Sequence, residues 1–159
     1  MAEGFRCVVA TPTRELFSGT IYYADVPGAD GHYGVLSGHE SLVALNHRGG
    51  KLTLHLDPDG NEKKVFLIHL GCTQMLHNHL SVLGRFGCDP NDINVEELKA
   101  KADELSQVLE ARKAEYAENP PEGEHAAADR AGIDNQEAHL GWYLDQIEYI
   151  NAGGELNKQ

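Results

Sequence analysis

Residues 26–42, VPGADGHYGVLSGHESL, concentrate the side chains most able to do chemistry: four glycines (Gly28, Gly31, Gly34, Gly38) and two histidines (His32, His39). A phosphate cradle would need the glycines to lead into a helix, with a Lys after them. Neither is present. A zinc site could be drawn from Cys72, His77, His79 and Cys88, since thiolate and imidazole are the donors zinc prefers. His77 and His79, however, sit where two strands should turn, and neighbours in a turn need not converge with distant cysteines. No metal is assigned. Ser37, His39 and Glu40 supply a nucleophile, a base and an orienting group on paper. Crowded into one loop, they cannot reach the mutual geometry that acyl transfer requires, so no catalytic residue is assigned either. His39 reads instead as an interface or hydrogen-bonding side chain. Glycines free to take positive φ let a loop turn tightly and show its backbone to a partner. A plain hairpin closed by Gly and Asp accounts for the same residues, and both readings stay open at this point.

Composition limits the alternatives. A chain of 159 residues, 41% hydrophobic and 24% charged, forms one compact domain with room for a second small element. No apolar run approaches the roughly 20 residues needed to span a bilayer. The start, MAEGFRCVV, lacks the basic and apolar regions of a signal peptide, so the expected location is the cytoplasm. Three cysteines scattered through apolar runs suit reduced, mostly buried thiols rather than a disulfide. Charge is uneven: residues 95–159 hold 15 acidic and 6 basic side chains, net −9, whereas residues 1–94 are net −3. Such a surface repels a nucleic-acid backbone, and no nucleic-acid partner is expected.

The elements that must position these residues follow from periodicity. Between Phe5 and about Gly87, short segments rich in Val, Ile, Leu, Tyr and Phe alternate with turn signals. In KLTLHL the apolar residues Leu52, Leu54 and Leu56 alternate strictly, as in a strand with one face in a core, and Asp59-Gly60 marks a tight turn after it. This half predicts a β-sandwich or flattened barrel of eight to ten strands. After Cys88 the period changes. Asn94 and Glu97 form a capping pair, and Val95, Leu98, Ala102, Leu105, Leu109 and Tyr116 share one face of a helix running to about 117. ENPPEGEHAAADRAG breaks it, giving a loop over about 118–134. Asp134 and Glu137 then cap a second helix lined by Leu140, Tyr143, Leu144, Ile147 and Ile150, and Gly153-Gly154 ends it. The fold class is α+β: a sandwich over 1–88, then an antiparallel two-helix hairpin over 89–159, packed through Leu98, Leu105, Leu109, Leu144 and Ile147.

With the elements in order, FRCVVATPTRELFSGTI, VPGADGHYGVLSGHESLVAL, FLIHLG and LSVL together resemble the epsilon subunit of bacterial F-type ATP synthases, whose mitochondrial counterpart is delta. The most specific run is Pro27-Gly28-Ala29-Asp30-Gly31, Gly34-Val35-Leu36 and Gly38-His39, in register with Pro12, Arg14, Phe17, Ser18 and Gly19 upstream. The resemblance implies a non-catalytic rotor subunit of a proton-translocating enzyme. It places Asp30, Gly31 and His32 against the c-ring, and Thr11, His39 and Ala44 against the gamma subunit. It implies that the helices regulate ATP hydrolysis through the alpha and beta subunits, and that the chain lies at the cytoplasmic face of the bacterial membrane, peripheral to it. The alternative from another class is a cytosolic β-sandwich binding module of an unrelated assembly.

The sequence departs from the family in several places. Ser37 and Ser41 replace the prolines that flank Gly-His, His69-Leu70-Gly71 replaces Ser-Gly-Gly, and the loop between the helices is long. Family members that bind ATP on the hairpin carry Ile-Asp-x-x-Arg-Ala. Here the match is Ile93-Asn94-Val95-Glu96-Glu97-Leu98, which puts a carboxylate where a cation would meet phosphate. The partial repeat Asp129-Arg130-Ala131 falls in the predicted loop. Gln136–Leu156 contains Glu137, Asp145, Glu148 and Glu155 but no Lys or Arg, so an extended arm has no basic grip and depends on Trp142, Tyr143 and Ile147. No nucleotide-binding residue is assigned. Titration calorimetry of the isolated chain with Mg-ATP should give no binding heat at micromolar concentrations, and micromolar affinity would contradict this reading.

Overall fold

The computed structural model describes residues 3–154. Glu155, counted above in the acidic stretch of the second helix, lies outside the described residues. Ten strands are followed by two helices: β1 Phe5–Ala10, β2 Glu15–Ile21, β3 Tyr23–Gly28, β4 Gly31–Val35, β5 Leu42–Leu45, β6 Gly50–His55, β7 Lys63–His69, β8 Cys72–Leu76, β9 His79–Leu83, β10 Phe86–Cys88, α1 Val95–Glu118 and α2 His125–Asn151. The α+β architecture is the expected one.

The strands form two five-stranded sheets. The first, sheet A, runs β2-β1-β9-β8-β5, and the second, sheet B, runs β10-β7-β6-β3-β4. All neighbours are antiparallel except β1 and β9. Each strand sends alternate residues inward, so Phe5, Cys7 and Val9 of β1 meet Leu52 and Leu54 of β6, with Phe66 and Ile68 of β7, in a single core between the sheets. The alternation read in KLTLHL is the observed burial of β6. Leu56 falls just past the strand and packs on the edge of the core.

The hairpin covers the outer side of sheet B. Leu67 of β7 and Cys88 of β10 point away from the sandwich core and are buried against Trp142 and Tyr149 of α2. Trp142 stacks on Phe86, with ring centroids 6.2 Å apart and planes 12° from parallel. Trp142, Gln146 and Tyr149 recur at helical spacing and form the buried face of α2 toward the sheet. α1 lies antiparallel on α2: Arg112 donates to Gln136 at 3.1 Å, and Lys113 pairs with Glu137.

Two expectations about the helices need correction. The loop expected over 118–134 is confined to 119–124, because α2 begins at His125. His-Ala-Ala-Ala-Asp-Arg-Ala is rich in the strongest helix former, and Gly123, at φ +77°, is the residue that ends the turn. Asp134 does not cap. It pairs with Arg130 one turn earlier, inside the helix, so Asp129-Arg130-Ala131 is helical rather than looped. Gly132 is tolerated there because the Arg112 guanidinium lies where a Cβ would stand, 2.7 Å from the ideal position. Of the hairpin residues named from sequence, Leu109 is buried, Leu98, Leu105 and Ile147 are half-buried, and Leu144 is 51% exposed. Trp142 and Tyr149, which turn to the sheet, take the burial expected for the Leu144 stripe.

The caps behave more simply. Asn94 Oδ1 accepts from the Glu97 N–H at 3.2 Å, as read, while the Glu97 carboxylate turns to Lys101. Gly153 and Gly154 end α2 at φ +72° and +82°.

Candidate protein-interaction site

The two ends of the sandwich carry the two halves of the glycine-rich stretch. At one end β3 and β4 join through Ala29 and Asp30, with Gly28 paired to Gly31. Gly31 sits at φ +129°, which only glycine adopts without strain, and a Cβ there would meet nothing within 4 Å. A Cβ on Gly28 would instead stand 2.7 Å from the Gly31 carbonyl. The turn is tied to the end of β5: Ala29 N–H donates to Leu45 C=O at 2.8 Å, and His47 N–H donates to Pro27 C=O at 2.9 Å. Asp30, Gly31 and His32 all face solvent, and His32 Nδ1 lies 3.1 Å from the Asp25 carboxylate.

A buried asparagine holds this end together. Asn46 donates from Nδ2 to the carbonyls of Leu70 and Leu83, 3.1 Å each, and accepts from Thr73 Oγ1 at 2.7 Å. The Leu70 turn, the end of β9 and β8 are thereby fixed to the end of β5, to which the Asp30 turn is tied through Ala29. Nothing in the sequence around Asn46 marks it, because its partners come from segments 24 to 37 residues away.

His39 lies at the opposite end. Its loop follows β4 and closes over the β8–β9 turn, where Gly38 N–H donates to Asn78 Oδ1 at 2.8 Å. His77 and Asn78 make that turn, both at positive φ, as the sequence placed them. The His39 ring donates from Nδ1 to the Glu40 carbonyl at 2.8 Å, so it is held locally and stays exposed. Thr11 returns to the first end, where its N–H donates to Arg14 C=O at 2.9 Å in the β1–β2 turn. The structure therefore brings Thr11 and the Asp30 turn to one end and places His39 at the other, with sheet A between them.

Ala44 lies on β5, opposite the buried Thr73, and is directed to the inner side of the sheet. Its neighbours face outward: Val43 is 72% exposed and Leu45 69%. The register puts Leu45 beside Cys72, Cys72 beside Leu83 and Leu83 beside Ala10, one row across four strands of sheet A. The next row, Val43, Gln74, Ser81 and Val8, is mixed, and the third, Leu76, His79 and Arg6, adds charge. The outer face of sheet A is thus apolar toward the Thr11 end and polar toward His39, and no element of the described chain covers it. Sequence reading assigned no role to Val43, Leu45 and Leu83 and weighed Cys72 only as a zinc donor and a buried thiol. The available signal was that LVAL in β5 is apolar at every position, where a half-buried strand should alternate.

The four residues from which a zinc site could be drawn on paper are dispersed. Cys72 opens β8 on sheet A, Cys88 lies under α2 on sheet B, and His77 and His79 flank the far turn. Among the described residues no group of three His, Cys, Asp or Glu side chains is arranged to hold a metal ion. All three cysteines are free. Burial pushes the Cys7 and Cys88 thiols up to about 12, which keeps both protonated and unreactive while the fold is intact.

Residues 4–86 match the family model described as "ATP synthase, Delta/Epsilon chain, beta-sandwich domain". The chain belongs to this family. The ATP synthase epsilon chain of Solibacter usitatus is 32% identical over 140 residues, covering 88% of this chain and 96% of that one. The epsilon chain of Maricaulis maris is 33% identical over 115 residues, 72% of this chain and 84% of that one. A chain in the structure of the Euglena gracilis mitochondrial ATP synthase, OSCP/F1/c-ring, shares the fold, with a TM-score of 0.56 at 16% identity over 96% of this chain and 82% of that one. The chain is accordingly an ATP synthase subunit rather than an enzyme by itself. No helix among the described residues is long and apolar enough to cross a membrane.

Replacing Asn46 with Ala strands the carbonyls of Leu70 and Leu83 and the Thr73 hydroxyl, a loss of about 1–3 kcal/mol. Urea denaturation should show a lowered midpoint. An unchanged midpoint would show that Asn46 does not hold this end.

Proposed function

We propose that this chain is a central-rotor subunit of a proton-translocating F-type ATP synthase that joins the gamma subunit to the c-ring. The observation that carries the reading is the uncovered apolar face of sheet A. A sandwich has two outer faces, and here one is buried by the chain's own helix while the other shows Leu45, Leu83 and Val43 to water. Contiguous apolar surface of this kind on a small acidic protein marks a binding face. The occupant proposed for it is gamma, with Thr11 and His39 at the two ends of the face and β5 along its edge. On this reading Ala44 contributes backbone position, and its neighbours Val43 and Leu45 make the contact.

The Asp30-Gly31-His32 turn serves the second interface. It projects from the end of the sandwich on a two-residue link, exposed and polar, and is anchored through Leu45 to the strand that would hold gamma. A turn braced in this way transmits torque between a polar c-ring loop and a gamma subunit seated on sheet A. The hairpin is the regulatory arm, meeting the alpha and beta subunits when it leaves the sandwich. In the docked state Trp142 is buried, so the apolar side of the arm is unavailable to them. The location that follows is peripheral, on the cytoplasmic face of a bacterial membrane.

Affinity purification from membranes tests this. The tagged chain should bring down gamma, alpha, beta and c subunits. The double variant Val43→Asp with Leu45→Asp should reduce recovery of gamma at least about tenfold, because it would bury two unpaired carboxylates in the interface. Its thermal melting should stay near that of the unchanged chain, since both side chains are already exposed. Absence of all four subunits from the unmodified chain would overturn the assignment.

A further inference from the structure

The hairpin is held to the sandwich by more than apolar contact. His69, on β7, is only 2% exposed, and its Nδ1 lies 2.7 Å from Asp145 Oδ2 on α2. The rings of Phe86 and Trp142 surround it at 5.9 and 5.8 Å. The Asp145 side chain, by contrast, is 27% exposed and stays within reach of water. The same Nδ1 has a second partner: the backbone N–H of Gly49 points at it from 3.1 Å. Gly49 sits at φ +56°, and a Cβ there would stand 2.6 Å from the Asp145 carboxyl carbon. Only glycine lets α2 come this close.

We propose that His69, Asp145 and Gly49 form a releasable latch that fixes where α2 docks and sets how readily the hairpin leaves the sandwich. A ring nitrogen either donates or accepts, so the two contacts compete. A carboxylate only accepts, and in the docked state Nδ1 carries the proton and donates it to Asp145. When α2 lifts away, the ring gives up the Nδ1 proton to solvent and takes one at Nε2, and the freed Nδ1 lone pair accepts from Gly49 N–H. Nδ1 then has a partner in both states, and the Gly49 N–H, which faces a donor while α2 is docked, gains its acceptor on release. This lowers the cost of release relative to a buried pair with a single partner, whose separation leaves a stranded polar group. The flanking contacts act differently. Trp142 on Phe86 and Tyr149 near Leu67 are apolar and weakly directional, and Arg85 Nη2 to Asn135 Oδ1, at 2.6 Å, is exposed. Two directional contacts cross at the buried centre, Cys88 Sγ to Gln146 Oε1 at 3.7 Å and His69 Nδ1 to Asp145 Oδ2 at 2.7 Å, and the Asp145 one is the shorter and the charge-assisted one. The inference deepens the regulatory half of the reading above, but it is a property of the isolated chain.

Two native thiols make it measurable. Cys88 lies under α2 and becomes accessible only when the hairpin lifts, whereas Cys7 lies between the sheets and becomes accessible only when the sandwich opens. Alkylation with iodoacetamide, followed peptide by peptide by mass spectrometry, reads the two events separately. Asp145→Ala should raise the Cys88 rate about fivefold or more, the factor that loss of one hydrogen bond allows, with Cys7 unchanged. Asp145→Asn retains an acceptor for Nδ1–H and should stay within about twofold of the unmodified chain. Gly49→Ala should raise the Cys88 rate as well, by pushing α2 off. A Cys88 rate unaffected by Asp145→Ala, or a parallel rise at Cys7, would overturn the latch. Because no other subunit takes part, that failure is distinct from failure of the chain to bring down an ATP synthase.

Discussion

Both faces of β7 are buried at its C-terminal half, and that constraint organises the molecule. Phe66 and Ile68 turn into the core between the sheets, while Leu67 and His69 turn outward, so sheet B cannot face water along this strand. A second layer has to cover it. α2 supplies that layer, with Trp142, Gln146 and Tyr149 spaced to lie along β7 and β10. The position of the hairpin thus follows from the strand it shields. Charge agrees with this arrangement: the apolar side of α2 is spent on the sandwich, and the surplus of acidic residues after residue 95 is left largely on the outer surfaces of the two helices.

The same argument applied to sheet A gives the opposite result. β5 is also apolar on both sides, and the row Leu45, Cys72, Leu83 and Ala10 crosses four strands, but no segment of the described chain lies over it. One outer face is covered within the described chain and the other is not. On the proposed reading, the uncovered side of the sandwich is the one toward the partner and the covered side is the releasable one toward the arm. The Asp30 turn, bonded through Ala29 to Leu45, sits at the edge of the fixed side.

Much of this was legible in the sequence. Period-two alternation in β6, the Asn94 cap and the closing glycines of α2 are local signals, and each appears where it was read. The errors have a common cause. Asp134 and Glu137 resembled a capping pair by their spacing, yet both lie inside α2, where Glu137 pairs with Lys113 of α1, a contact between residues 24 apart that spacing does not disclose. Leu144 was given to the seam because Leu is apolar, while the burial went to the aromatic residues that meet the sheet. Asn46 and the pair of His69 with Asp145 were invisible for the same reason: a buried polar residue takes its meaning from partners that only the fold brings to it. The continuous apolar runs in β5 and β7 carried the most information. Both announced that two faces of a strand need cover, without saying which cover belongs to the chain itself.

Cys72 tests the central claim directly, because it lies in the middle of the uncovered row, between Leu45 and Leu83. Its alkylation should be measured in the free chain and again after addition of the gamma subunit from the same ATP synthase. If the outer face of sheet A is the binding face, labelling of Cys72 falls sharply on addition of gamma while the rates at Cys7 and Cys88 stay as they were. A stable complex in which Cys72 labels as fast as in the free chain would contradict the account.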